Sequence, residues 1–253
     1  MSTLLAIHGI RGGVGVSSLV AGLGHALQAH QQRVLVVDMN PDNLLGLHFN
    51  LPFDTPAGWG QALLAGADWR DYAFELGSAL TLVPYGRVDA AGAAAVECEL
   101  AVHPTFWRER IEAIAANFDW LLFDLPQRFP AHAAAIWQHA HCQLRLQLAT
   151  VDSGCHALMQ RPELRAIDGG RLLVNRYDPS ARLQRDLMQV WLRQYEQSLV
   201  PQPVHEDANV PEALAMKSPL GRHAPDALAA ADLDSLAVWC LAQTHRPSGG
   251  ERP

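Results

Sequence analysis

Residues 4–22, LLAIHGIRGGVGVSSLVAG, constrain the fold more than any other stretch of the chain. An apolar run ends at Gly12, Gly13 and Gly15, and apolar residues then resume at helical spacing from Ser17 onward. Strand, glycine loop and helix in that order make one βα unit. Its loop lets backbone N–H groups converge on phosphate oxygens while the helix adds its positive end. Ser17, the first hydroxyl after the loop, stands where such sites ligate Mg²⁺. The strict pattern G-x-x-x-x-G-K-[ST], laid on residues 10–17, fails twice, with Ile10 at its first glycine and Val16 at its lysine. Two readings therefore stand, a phosphate cradle and a glycine-rich turn kept for close strand–helix packing.

Apolar, β-branched runs recur along the chain at 33–38, 79–85, 120–126, 142–150, 171–177 and 198–204. They are continuous rather than alternating, as in strands buried on both faces of a parallel sheet. Segments with helical spacing separate them, such as 17–30 and 104–118. The expectation is an α/β fold of one domain over residues 1–244, an open, mostly parallel twisted sheet with helices on both faces. Right-handed crossovers gather the loops after the strands along one edge. The alanine-rich stretch 88–104 reads as a surface loop with a helical turn or an insertion, and 245–253 as a disordered C-terminal tail.

Composition narrows the classes. With 253 residues, 49% hydrophobic and 18% charged, the chain can bury a sizeable core. A net charge of −7 and a single lysine, Lys217, disfavour nucleic acid as a partner. Four cysteines without CxxC spacing suit a reducing, cytoplasmic setting. No apolar run approaches the ~20 residues that span a bilayer.

A deviant form of the phosphate loop fits better than the strict one. RGGVGVSS (11–18) resembles KGGxGK[ST][ST], the deviant Walker A signature of the MinD/ParA-type P-loop ATPases of the SIMIBI class, with Arg11 at the special lysine before the glycines. Other motifs of that family follow in order. VLVVDMNPDN (34–43) resembles its switch I, with Asp38 as the first aspartate, Pro41 as the proline, and Asn40 where the family has the acid that orients water. FDWLLFDLP (118–126) resembles its Walker B strand, with Asp124 near Mg²⁺. LLVNRYDP (172–179) resembles the strand whose terminal asparagine, here Asn175, reads the adenine edge. PVHEDANVPEALAMKSPLG (203–221) resembles the late loop that wraps the base, with His205, Glu206 and Asp207 as its contacts. Within the family, the stretches GWGQALLAGADWRDY and DALAAADLDSLAVWCL, with the lysine-free loop, resemble the ATPase-like accessory proteins encoded with bacterial cellulose synthase.

The resemblance implies ATP and Mg²⁺ as cofactors. The nucleotide would be held by Arg11, Gly12, Gly13, Val14, Gly15, Val16, Ser17, Ser18, Asn175, His205, Glu206 and Asp207, and the metal by Ser17, Asp38 and Asp124. It implies a homodimer around two nucleotides, with Arg11 reaching the partner's phosphates as a planar fork suits. Partners would be other cytoplasmic and inner-membrane cellulose-secretion proteins, which recruit a cytoplasmic chain to the membrane. Asn40 is a poor base, so no catalytic residue is assigned and hydrolysis is expected to be slow or absent. A working ATPase cycling between monomer and dimer, and a fold that has lost nucleotide, stay open beside this reading.

Other features read structurally. His132, His139 and His141 match no common zinc spacing and are taken as packing or surface residues. Trp59, Trp69 and Trp107 are assigned to the core, while Trp191 fits either core or a protein interface. The acidic last helix argues against a direct membrane anchor.

Overall fold

A strand buried on both faces must offer apolar side chains to two layers at once, and the central strands do so with period two. Strands β1 (Thr3–Gly9), β2 (Val34–Asp38) and β5 (Trp120–Asp124) are buried along their whole length. Leu5, Ile7, Val34, Val36, Trp120 and Leu122 enter one core, and Leu4, Ala6, Leu35, Val37, Leu121 and Phe123 enter the other. The computed structural model describes residues 2–52, 54–127, 131–139, 141–161 and 170–244. The expected tail at 245–253 lies outside the described residues.

The remaining strands are β3 (Phe74–Glu75), β4 (Leu80–Val83), β6 (Cys142–Thr150) and β7 (Arg171–Asn175). Among the described residues, one seven-stranded sheet runs in the order β3-β4-β2-β5-β1-β6-β7. All neighbouring pairs are parallel except β3 with β4. The first core is closed by α1 (Val16–Ala29), α7 (Arg182–Gln194) and α10 (Leu228–Thr244). The second is closed by α2 (Trp59–Ala65), α3 (Ala90–Val102), α4 (Phe106–Ile114) and α5 (Ala131–Trp137). Helix α6 (Ser153–Met159) follows β6, and α8 (Asn209–Ala215) and α9 (Leu220–His223) precede α10. Gly22 sets the distance between α1 and α10, since a Cβ there would stand 2.5 Å from Leu233 Cδ1.

Three details differ from the sequence reading or complete it. Residues 90–102 form a full helix capped by Asp89, whose carboxylate accepts from Gly92 N–H at 2.7 Å, rather than a loop or insertion. Its alanines hide the periodicity, and only Val96 and Leu100 are buried. The run 198–204 forms no strand. It meets β7 only at isolated points, the bridge of Leu172 with Leu199 and Val204 N–H on the Val174 carbonyl at 2.9 Å, with Tyr177 and His205 bridging just beyond, because Pro201 and Pro203 cannot donate to a ladder. Trp191 is fully buried and its indole N–H donates to His156 Nδ1 at 3.0 Å, which places it in the core.

Candidate functional site

Six parallel strands end on the same edge of the sheet, and five of them, β1, β2, β5, β6 and β7, bring functional groups to it. Register places Asp38 beside Asp124, Ile7 beside Asp124, Gly9 beside Leu148 and Thr150 beside Asn175. The loop between β1 and α1 bends over this edge, starting with Ile10 N–H on the Leu148 carbonyl at 2.9 Å. Gly13 (φ 77°) and Gly15 (φ 92°) take the left-handed conformation that turns the backbone into the helix. No acidic side chain occupies the first turn of α1, so its N–H groups face a cavity with no competing anion on the helix.

That cavity measures about 520 Å³ and is lined by Arg11 through Ser18, with Asn40, Asp42, His48 and Asp124 among its other walls. A second space of about 270 Å³ adjoins it, lined by Asn175, Arg176, His205, Glu206 and Asp207 and sharing Gly13, Gly15, Ser18 and Leu214 with the first. The loop residues and the late-loop residues named from sequence therefore line one continuous cleft. Its size falls in the range of small-ligand sites, ~300–1,000 Å³.

The acids differ in how they are used. Asp124 is buried, its carboxyl bonded to Ser17, and burial lifts it to about 7 against the lowering effect of that hydroxyl. Its Oδ2 has no hydrogen-bond partner. Asp38, fully buried in the next strand, is also raised by burial and by the neighbouring Asp124. Its two oxygens accept from Asn40 N–H at 2.9 Å and Leu45 N–H at 3.1 Å. Asp38 thus braces the loop that follows it, and it does not line the cleft as Ser17 and Asp124 do.

That loop, 39–45, is bonded at nearly every residue. Met39 N–H donates to the Asp124 carbonyl at 3.0 Å, Asp42 N–H to Asn40 Oδ1 at 3.1 Å, and Asn43 N–H to the Asn40 carbonyl at 2.9 Å. Asn43 Oδ1 accepts from Gly86 N–H at 3.1 Å, and Trp59 Nε1–H donates to the Asp38 carbonyl at 2.7 Å. Asn40, at the position of the missing acid, commits its side-chain oxygen to this turn.

Several side chains named from sequence are engaged within the chain. Asn175 donates its amide to the Val14 carbonyl at 2.7 Å, so β7 clamps the phosphate loop in addition to walling the second space. Arg11 pairs with Asp152 at 2.8 Å and also reaches Thr150 Oγ1 at 3.2 Å. Burial works against it, but the Thr150 hydroxyl and then Arg11 hold Asp152 down to about 2. In the late loop, Glu206 pairs with Arg176 at 2.7 Å, His205 Nδ1 sits 2.8 Å from buried Asp232, and Asp207 accepts from Asn209 and Ala229 N–H. Val16, at the lysine position, packs against the core beneath the loop.

Sequence reasoning missed His48, Gln127, Leu214 and Asp152. Asp152 had a local signal, an aspartate at a strand end opening a helical pattern, and it caps α6 through Cys155 N–H at 2.9 Å. His48 had none, since only the fold carries the short 3₁₀ helix Leu45–Phe49 to the cleft. Among the described residues no cluster of three His, Cys, Asp or Glu side chains is placed to hold a metal ion, and His132 is buried beside Glu97 at 2.8 Å. No helix among them is long and apolar enough to cross a membrane.

Comparison with known proteins gives one family and one fold. A family model described as cellulose biosynthesis protein BcsQ matches residues 1–241. The chain is 38% identical over 247 residues to the cellulose biosynthesis protein BcsQ of Salmonella typhimurium, covering 94% of each chain. It is 35% identical over 249 residues to that of Escherichia coli K12, again covering 94% of each. Among solved structures, the septum site-determining protein MinD from Pyrococcus horikoshii complexed with Mg-ADP superposes with TM-score 0.73 at 20% identity, over 98% of this chain and 100% of that one. Cobyrinic acid a,c-diamide synthase from Mycobacterium smegmatis with bound ADP and magnesium gives 0.76 at 20% identity, over 100% and 98%. These likenesses show the P-loop fold.

Proposed function

The chain belongs to the BcsQ family of cellulose biosynthesis proteins, and from that premise we propose that it binds ATP and Mg²⁺ and works as a nucleotide-held dimer with little or no hydrolysis. The observation that carries this reading is Asp124, a buried carboxyl with an orphaned Oδ2, bonded to Ser17 at the mouth of a phosphate loop. An acceptor left without a partner in a polar cleft fits a cation. Ser17 and Asp124 would hold Mg²⁺, which supplies positive charge to the phosphates, and Asp38 would fix the loop beside it.

The residues of the chain do the rest. Backbone N–H groups of 12–18 and the N-terminus of α1 receive the phosphates, compensating in part for Val16. The space between Asn175 and His205–Asp207 receives the base. Asn40 carries no charge and is tied into its own turn, so it takes no proton from water. Arg11 contributes in the dimer by exchanging Asp152 for the partner's nucleotide. The proposed partners are the cytoplasmic and inner-membrane proteins of cellulose secretion, which would bring the chain to the membrane.

The test is retention of nucleotide. Purified protein is incubated with Mg²⁺ and ATP, desalted, denatured, and the nucleotide identified by chromatography. Intact ATP at about one per chain is expected. ADP would refute the hydrolysis-disabled reading and favour a cycling ATPase, and an empty protein would refute nucleotide binding.

A further inference from the structure

Val16 leaves the cleft without the cation that phosphate loops carry, and no other side chain described there replaces it. Among the described residues, the charged groups lining the main cavity are Arg11, already paired with Asp152, and the acids Asp42 and Asp124. Beside Mg²⁺, the chain's own phosphate recognition there falls to neutral donors. His48 is 4% exposed, lines the same cavity, and places Nε2 3.4 Å from Ser18 Oγ. Burial lowers it to about 4, so the ring is neutral near pH 7. Ser18 is one of four residues shared by the two spaces of the cleft, so it sits at their junction.

We propose that His48 is a positioning residue for phosphate, donating Nε2–H to Ser18 Oγ so that the Ser18 hydroxyl hydrogen is left to point into the cleft at a phosphate oxygen. A hydroxyl that accepts one bond donates a stronger one, and a neutral imidazole supplies that donor without adding charge. The ring is held for this task by its own short helix. Leu45 N–H on Asp38 Oδ2 fixes the start of that helix, and Asn50 in the left-handed conformation (φ 61°) closes the end. His48 thereby ties the loop after β2 to the phosphate loop. This inference rests on the nucleotide reading above.

Fluorescent MANT-ATP and MANT-adenosine titrations of the full chain, with Mg²⁺, test it on His48→Leu, His48→Gln, Ser18→Ala and the double variant His48→Leu with Ser18→Ala. His48→Leu should raise the MANT-ATP Kd about tenfold, the worth of one hydrogen bond, and leave MANT-adenosine unchanged. His48→Gln keeps a donor near the same place and should recover most of that loss. Combined with Ser18→Ala, His48→Leu should add nothing. Multiplying effects in the double variant, or a glutamine variant as weak as the leucine one, overturns the proposal. Melting curves accompany each variant, and His48→Met replaces His48→Leu if the latter unfolds. A wild type that binds no MANT-ATP overturns the nucleotide reading and this inference with it, whereas a binding wild type with an unaffected His48→Leu variant overturns the inference alone.

Discussion

Replacing Gly15 by alanine should damage the protein more than the same change at Gly13, although both glycines sit in one loop and both are left-handed. At Gly13 (φ 77°) a Cβ meets nothing within 4 Å, so only the backbone objects, at ~1–2 kcal/mol. At Gly15 (φ 92°) the same backbone penalty applies, and the new Cβ stands 2.6 Å from Asn175 Nδ2. That amide is pinned to the Val14 carbonyl at 2.7 Å and is buried, so it can withdraw only by giving up the bond. Leaving the buried carbonyl unsatisfied adds ~1–3 kcal/mol. The total for Gly15→Ala is ~2–5 kcal/mol, and at ~2–4 °C per kcal/mol for a chain near this size the melting temperature falls by roughly 4–20 °C. For Gly13→Ala it falls by roughly 2–8 °C on the same scale. Thermal melts without nucleotide, followed by circular dichroism, read both. Asn175→Ala supplies the control, since in its background Gly15→Ala loses the clash and should cost no more than Gly13→Ala. Equal melting points for the two glycine variants, or a full Gly15→Ala effect in the Asn175→Ala background, would refute the clamp between β7 and the phosphate loop.

Asp124 makes the nucleotide-free protein sensitive to pH. Its carboxyl titrates at about 7 when folded against ~4 when unfolded, so between these values the native state holds a proton the unfolded chain has released. Stability should therefore decline as pH rises through ~4–7 and level off above, and urea midpoints of Asp124→Asn should show a smaller decline and exceed the wild type at ~pH 8. Asp232 accepts from His205 N–H at 2.9 Å and faces His205 Nδ1 at 2.8 Å from α10. Asp232→Ala should destabilise by about 3 kcal/mol in urea unfolding and weaken nucleotide retention, while Asp232→Asn, which keeps the shape, should do less of both.

Much of this arrangement was legible in the order of residues. The continuous apolar runs at 33–38 and 120–126 marked the doubly buried strands, because burial on both faces is what such short runs need in a globular chain, whereas 142–150, read the same way, alternates buried residues with the more exposed Gln143, Arg145 and Gln147. Gly12, Gly13, Gly15 and Ser17, together with Asp124, mapped onto the cleft because strand–loop–helix geometry is local. What sequence could not reveal was the use of side chains across long separations. Asn175 and Val14 are 161 residues apart, and Arg11 and Asp152 are 141 apart, so each pairing exists only once the sheet has ordered its strands. The helix 90–102 escaped for a different reason. Alanine crowded into its first half gives no stripe to detect, and only its Asp89 cap marks its start.

The loop after β2 has one more consequence. Segments that sense a phosphate usually gain order when it arrives, and part of the binding free energy is absorbed by that ordering. Residues 39–45 have already lost their freedom to Asp38, Asn40, Gly86 and the Asp124 carbonyl during folding. The proposed nucleotide would meet a wall with little left to rearrange, so its association would retain more of the contact energy. The proposed site is in that sense built as a fastening rather than as a signal.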